Sequence, residues 1–413
     1  MPRWVIPLLI FSVIVILVEI YAFQAIKTLT KSKLIRYGWL ILGVLAYANF
    51  FFMIFTYDRS NGQTSTFQWA LAFVFMALFP KLVILLIMFG EDLVRWFVKG
   101  LSYVSSNETE TKPIAGRRKF ISQIALGLAA IPFLSLLYGV VKGKYNYKVL
   151  KYNLEFDDLP EAFDGFSISH ITDIHSGSFD NREKIEYAID LINQQKSDVI
   201  LFTGDVVNNF ASEMDPWIDS FKQLKAKVGK YSILGNHDYG DYADWKSPEA
   251  KAENFQAIKE IHPKIGFDLL LNENRYIEKD GQKIALVGVE NWGNGFKKVG
   301  DLVKASEGVS KDDFKILMSH DPSHWEKMIK RDDFNYQLTL SGHTHGLQFG
   351  IEIPGVIKWS PAKYAYKQWA GLYKEFNRYI NVNRGFGYHA FPGRVGIWPE
   401  ITVITLKKGL NNA

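Results

Sequence analysis

Four long apolar runs, Val5 to Ile26, Tyr37 to Phe55, Phe67 to Phe89 and Phe120 to Val141, dominate the first third of the chain. Each approaches or exceeds the roughly 20 residues that a helix needs to cross a bilayer. Inside hydrocarbon the backbone polar groups must be satisfied within the segment, so each run is expected as a helix. After Tyr145 the pattern changes to short apolar runs set between Gly, Asp and Asn, the habit of a water-soluble mixed domain. Residues 1–144 therefore read as a transmembrane region and residues 145–413 as a soluble domain.

Charge placement orients the spans. Lys27, Lys31, Lys33 and Arg36 crowd the first loop, whereas the second, Tyr57 to Thr66, carries only the opposed Asp58 and Arg59. The third loop is basic near the fourth span, with Lys112, Arg117, Arg118 and Lys119. Positive charge marks the cytoplasmic side, which places both termini and the soluble domain outside, in the periplasm or its equivalent. Lys142, Lys144, Lys148 and Lys151 pull the other way, so the cytoplasmic face stands as the alternative. Arg117-Arg118-Lys119-Phe120-Ile121 resembles an internal twin-arginine export signal; its plain reading is a stop-transfer flank. No small-residue cleavage site is evident, so the fourth span is expected to stay attached.

Glu19 and Lys81 fall at membrane depth, where ionisable groups are costly unless paired or wetted. They are expected either to pair between the first and third spans or to snorkel separately. Leu93, Val94, Trp96, Phe97, Leu101 and Val104 recur at near-helical spacing and predict an interfacial helix, followed by a polar cytoplasmic loop from Ser105 to Thr111. The net charge of +5 is modest and much of it flanks the spans, so no nucleic-acid partner is expected.

In the soluble part, Phe166 to Thr172, Val199 to Thr203 and Tyr231 to Leu234 read as buried strands. Arg182 to Gln195 and Trp217 to Lys227 have helical periodicity between them, the alternation that gives parallel strands with helices against them. Lys283 to Val289, Lys315 to Met318, Gln337 to Leu340, Tyr379 to Val382 and Ile401 to Leu406 supply further strands and a second sheet packed on the first. The fold class is α/β, and ligands in such sheets gather at the carboxyl ends of strands.

Five polar blocks lie just past predicted strands: Asp173-Ile174-His175, Gly204-Asp205-Val206-Val207-Asn208, Gly235-Asn236-His237-Asp238, Ser319-His320-Asp321 and Gly342-His343-Thr344-His345. Strand alternation would point Asp173 and His175 the same way and turn Ile174 into the core, and His343 and His345 repeat the device. The chain has no cysteine, so any metal must be held by oxygen and imidazole. Singly each block is weak, since an aspartate at a strand end commonly caps a turn; together they hold five of the nine histidines. His170, His262 and His324 are expected to be structural.

In order and spacing the blocks resemble the calcineurin-like metallophosphoesterase family, over roughly Phe166 to Leu406. The membrane region points to its anchored branch, similar to UDP-2,3-diacylglucosamine hydrolases and twin-arginine-exported phosphodiesterases. The resemblance implies two packed mixed sheets flanked by helices in four layers. It also implies two divalent ions, manganese, zinc or iron, one on Asp173, His175, Asp205 and His345 and the other on Asp205, Asn236, His320 and His343, with Asp205 bridging. Such a pair lowers the pKa of bound water and polarises a phosphoester for in-line attack. His237 takes the family position that serves the leaving oxygen. Asn208 stands where the best-known relatives have an aspartate to orient that histidine, and its amide is expected to accept the imidazole hydrogen bond.

Arg384, Arg394 and His389, in or near the Gly-rich stretch Asn383 to His389, are candidate substrate contacts, with surface salt bridges as the plain reading of the arginines. Trp359, Tyr364, Tyr366, Trp369 and Tyr373, with Lys358, Lys363 and Lys367, are expected to pack in the core or cover a sheet edge, with a membrane interface as the other reading. The expected activity is hydrolysis of a phosphodiester or pyrophosphate, with a lipid-linked substrate favoured by the anchor. The family includes relatives assigned to UDP-diacylglucosamine in lipid A synthesis, a cytoplasmic step that conflicts with the orientation above. The rivals are a phosphodiesterase acting on soluble nucleotides or sugar phosphates, and a membrane sensor or transport protein with a phosphate-binding metal domain.

Overall fold

The computed structural model of the protein describes residues 5–104 and 116–409; the expected loop Ser105 to Thr111 and Lys112 lie outside them. The chain divides into two compact units, Met1–Tyr57 with Thr66–Val140, and Asp58–Ser65 with Val141–Ala413.

In the first unit, α1 (Val5–Leu29), α2 (Lys33–Thr56), α3 (Ser65–Val104) and α4 (Arg117–Val141) are each long and apolar enough to cross a membrane. The interfacial helix predicted from Leu93 is not separate. It is the end of α3, a single helix of 40 residues. At 1.5 Å per residue α3 is about 60 Å long, about twice the hydrocarbon thickness, so it outgrows the bilayer. No proline stands between Phe89 and Leu93 to stop it, and the lone Gly90 is tolerated within the helix. The acidic residues there are instead held by α4: Arg117 and Arg118 reach Glu91 at 3.2 and 2.9 Å, and Arg118 reaches Asp92 at 2.9 Å.

Lys81 pairs with Glu19, so the two charges neutralise each other rather than snorkel apart. Gly43 of α2 lies against both, and a Cβ there would meet the Lys81 ammonium at 2.8 Å. The ammonium also sits over the Trp39 and Tyr47 rings, 5.1 and 5.4 Å from their centroids. Lys81→Ala would strand a buried carboxylate, a loss of about 3–5 kcal/mol in comparable buried pairs. Its melting temperature in detergent should fall clearly below that of the parent, and Glu19→Gln with Lys81→Met should recover most of the difference; a Lys81→Ala protein that melts with the parent would contradict the pairing.

The second unit holds β1 (Lys148–Phe156), β2 (Ser167–Ile171), β3 (Val199–Phe202), β4 (Gly229–Ser232), β5 (Asp268–Leu269), β6 (Glu273–Lys279) and β7 (Gln282–Gly288). Then follow β8 (Lys315–Met318), β9 (Leu338–Ser341), β10 (Ile351–Ile353), β11 (Ile357–Trp359), β12 (Gly371–Glu375), β13 (Arg378–Val382) and β14 (Glu400–Lys408). One sheet has the order β1-β14-β2-β3-β4-β5 and the other β12-β13-β9-β8-β7-β6, with β10-β11 a separate hairpin. β2 to β5 run parallel in the first sheet, and β7, β8, β9 and β13 in the second.

Strand periodicity explains the layering. In β3, Val199 and Leu201 face the second sheet and pack with Ile284, Leu286, Ile316 and Leu338. Ile200 and Phe202 face the other way, towards Ile185 and Ile189 of α5 (Arg182–Gln194) and Ile258 and Ile261 of the helix Pro248–Lys264. Such a strand is buried on both faces, which is why Val199-Ile200-Leu201-Phe202 is apolar throughout. Trp325 and Ile329 cover the outer face of the second sheet, completing four layers.

One local expectation fails, and one helix lay outside the expectations. The helix expected over Trp217 to Lys227 shrinks to Ile218–Phe221, because the backbone N–H groups of Lys225, Lys227 and Val228 are drawn to Asn193, Ser197 and Asp198. The helix Pro248–Lys264 was legible but unread: Ser247 caps it and Pro248 occupies its first position.

Candidate metal centre

Every block begins where a parallel strand ends. Asp173 and His175 follow β2, Asp205 follows β3, Asn236 and His237 follow β4, His320 follows β8, and His343 and His345 follow β9. The two sheets bring these ends together, as the carboxyl ends of parallel strands do in layered α/β folds.

The expected strand pleat is not the device that aims the side chains. Asp173, His175, Asp205, His343 and His345 all have left-handed backbone, with φ of 52°, 49°, 60°, 70° and 49°. Ile174 still turns into the core, where it is fully buried. Five such residues together store on the order of 5 kcal/mol or more, which concentrates at functional sites when the surroundings over-determine it. Here the surroundings are close. A Cβ on Gly235 would lie 2.3 Å from Asp205 Oδ1, and one on Gly342 would lie 2.2 Å from Asp173 Oδ2. Only glycine lets these turns approach.

The side chains converge in two halves. In the first, His345 Nε2 lies 3.1 Å from His175 Nε2 and 3.2 Å from Asp173 Oδ1. In the second, Asn236 Oδ1 lies 3.1 Å from His320 Nε2 and 2.7 Å from His343 Nδ1. Asp205 Oδ2 serves both, 3.6 Å from His175 Nε2 and 3.2 Å from His320 Nε2. Three overlapping groups, Asp173 with His175 and His345, His175 with Asp205 and His237, and Asp205 with His320 and His343, have ligating atoms within 4.8 Å of one another.

The non-ligating ends of these side chains are tied down. Asn236 Nδ2 donates to Tyr242 Oη at 2.9 Å, which turns its oxygen inward. His320 Nδ1 donates to the Thr203 carbonyl at 2.7 Å, leaving Nε2 for the centre. His343 Nε2 lies 2.8 Å from Tyr366 Oη, which frees Nδ1 towards Asn236. Asp238 accepts the backbone N–H groups of Asp205, Val206 and Gly235 at 2.8 Å each and so clamps two of the turns. Burial and the neighbouring Asp205 charge push its carboxyl up to about 7. Tyr242 and Tyr366 carried no motif signal, whereas Asp238 stood inside the fourth-residue position of its block.

The donor set fits a divalent cation. Imidazoles, carboxylates and one amide oxygen converging in a buried space are an arrangement that a cation relieves. Burial holds His175, His343 and His237 below the ordinary imidazole value. Burial also pulls on His320, but the Asp205 charge and hydrogen bond win and lift it to about 10.

Other expectations change. Asn208 does not use its amide on His237; its backbone carbonyl accepts from His237 Nδ1 at 2.8 Å. The amide is committed elsewhere, donating to Ser178 Oγ at 3.1 Å, while Glu213 gathers the N–H groups of Asn208, Asn209 and Phe210. Arg384 and Arg394 are held by partners within the protein. Arg384 is clamped between Glu352 and Glu400, and Arg394 is fully buried, donating to the carbonyls of Gly385 and Gly387 with Nη2 3.1 Å from His345 Nδ1. A buried guanidinium needs such partners, and Arg394 Nη1 is left without one. His389 does lie at the centre, its ring 4.5 Å from His237 and 5.1 Å from His175.

The aromatic cluster divides. Trp369 packs with Ala362, Ala370 and Ile397, Tyr364 is exposed, and Tyr366 joins the centre through His343. His170, His262 and His324 are buried against Thr203, Ser232 and Ser319, the structural roles expected of them.

Residues 166–347 match the family model described as Calcineurin-like phosphoesterase. Residues 2–144 match a second, described as "Probable Calcineurin-like phosphoesterase, transmembrane domain". The Bacillus subtilis metallophosphoesterase YkuE is 32% identical over 253 residues, covering 60% of this chain and 82% of its own. The chain belongs to the calcineurin-like phosphoesterase family. A Danio rerio relative described as a transmembrane protein with metallophosphoesterase domain is 25% identical over 384 residues, 89% of this chain and 79% of its own. The phosphoesterase is thus an integral membrane protein whose soluble part is a metal-dependent phosphoester hydrolase.

One consequence concerns protons. In the metal-free phosphoesterase His320 is protonated at neutral pH, because its value is raised and lies above the solution pH. A metal needs the bare Nε2, so binding expels that proton, and affinity should rise about ten-fold per pH unit between pH 7 and 9. Calorimetric titration of Mn or Zn into metal-free protein at several pH values measures this; affinity that is flat across that window would contradict the His320 assignment.

Proposed function

We propose that this membrane phosphoesterase binds two divalent ions, manganese, zinc or iron, and hydrolyses a phosphodiester or pyrophosphate linkage in a lipid-linked substrate. The observation that carries the reading is the position of Asp205 Oδ2 between His175 Nε2 and His320 Nε2, which divides the ligands into two sets around one carboxylate. Asp173, His175, Asp205 and His345 would hold one ion, and Asp205, Asn236, His320 and His343 the other. When bound, the pair would supply a water of lowered pKa and Lewis-acid polarisation of the phosphoryl oxygens.

The protein's own groups do the rest. Asp205 offsets the repulsion between neighbouring cations, and the clamp of Asp238 keeps its turn in place. His237 is held by the Asn208 carbonyl with Nε2 turned to the cleft, and burial keeps it neutral until substrate charge arrives. It then takes a proton from solvent at Nε2 and delivers it to the leaving oxygen. His389, beside it, shields that edge from water.

The substrate class follows from the tether. The spans anchor the chain in a bilayer, which favours a lipid-linked substrate, and the basic first and third loops favour an extracytoplasmic domain, 145–413.

The test is hydrolysis by the full-length, metal-loaded enzyme in detergent or nanodiscs against a lipid pyrophosphate, bis(4-nitrophenyl) phosphate and 4-nitrophenyl phosphate. The expected order of kcat/KM is lipid pyrophosphate, diester, monoester, with about a ten-fold gap at each step. A soluble diester cut faster than the lipid would turn the reading to a tethered phosphodiesterase, and failure on all three with metals loaded would contradict it.

A further inference from the structure

The loop between α2 and α3 entered the sequence reading only as a nearly neutral stretch, yet Asp58–Ser65 clusters with the catalytic unit. We infer that this eight-residue segment forms one wall of the substrate cleft, on the side of His237 where the leaving group departs. The inference rests on the hydrolase reading above and adds to it the element that borders the leaving group.

The segment touches three loops, and each of them bears on His237. Gln63 Oε1 accepts from Ala390 N at 2.9 Å, next to His389, whose ring lies 4.5 Å from that of His237. Gly62 is buried against Phe210, so closely that a Cβ would lie 2.6 Å from the Phe210 ring and 3.6 Å from the Asn209 amide. These residues directly follow Asn208, whose carbonyl holds His237 Nδ1. Arg59 pairs with Asp244 at 3.7 Å, and the Asp244 N–H donates to the Arg59 carbonyl at 3.3 Å. Asp244 lies two residues after Tyr242, whose ring is 4.4 Å from His237.

The segment is built to hold its shape. Arg59–Asn61 is a single 3₁₀ turn, capped by Asp58, which accepts from Ser60 N at 2.8 Å and from Asn61 Nδ2 at 3.3 Å. Gly62 then takes φ of 62°, a conformation that glycine adopts without strain, and this turns Gln63 towards Ala390. A preformed turn loses little entropy on docking, so three modest contacts suffice to seat it. Its two ends continue directly into α2 and α3.

The natural chain has no cysteine, which makes the test clean. Gln63→Cys with Ala390→Cys in the full-length protein is treated with a short bifunctional thiol cross-linker, and the linked peptides are read by mass spectrometry. In parallel, Gln63→Ala is assayed on bis(4-nitrophenyl) phosphate, with metal affinity measured by calorimetry. The expected results are a cross-link in the double variant and in neither single one, and a KM raised about five-fold at unchanged metal affinity, the size of one lost neutral hydrogen bond. An active parent whose double variant does not cross-link overturns the docking. A cross-link with KM unchanged overturns the wall. A parent that docks the loop, binds metal and hydrolyses nothing overturns the wall together with the hydrolase reading beneath it.

Discussion

The Asp205 carboxylate is the group on which the rest of the catalytic unit depends. Its Oδ2 stands between a histidine from the end of β2 and a histidine from the end of β8, so one side chain joins ligands contributed by both sheets. A buried anion in that position is tolerable only where cationic or hydrogen-bonding partners surround it. His320 and the backbone N–H of His237 provide this in the protein itself, and His237 N donates to Asp205 Oδ1 at 2.8 Å. Burial works against the carboxylate, yet the neighbouring imidazoles hold Asp205 well below the ordinary carboxyl value. The left-handed residues around it, and the glycines that admit their close approach, are the backbone cost of bringing so many ligands to one point.

The parts of this architecture that obey a period or a dense motif were legible. Four apolar runs became four long helices, and the apolar run of β3 became a strand buried on both faces. The five polar blocks were legible because they cluster types that an ordinary domain scatters. Other features depend on distant partners that a linear reading does not weigh. Trp217 to Lys227 has helical spacing, but its N–H groups find acceptors at the end of α5 and beyond. Arg384 and Arg394 sit in a Gly-rich stretch fit for a phosphate, and only the fold shows them spent on Glu352, Glu400 and backbone carbonyls. Tyr242 and Tyr366 reach Asn236 and His343 across gaps that no spacing announces.

His237 shows how a local substitution is absorbed. An amide at residue 208 cannot compensate a charged imidazole as a carboxylate would, and here the side chain is not even the acceptor. The backbone carbonyl fixes the same tautomer without adding charge, while Glu213 holds the loop that carries it. Burial and the Glu213 desolvation push that carboxyl up to about 7, so the support of this loop is itself close to its titration point at neutral pH. The histidine is thereby oriented by geometry rather than by a counter-charge.

The most direct test of a site organised around one shared carboxylate is the metal content of the full-length protein and of Asp205→Ala, measured by elemental analysis after equilibration with Mn or Zn. The account predicts two ions per chain in the parent and at most one in the variant, with the far-ultraviolet spectrum unchanged. Two ions retained at unchanged affinity without the Asp205 carboxylate, or a parent that never binds more than one, would contradict it.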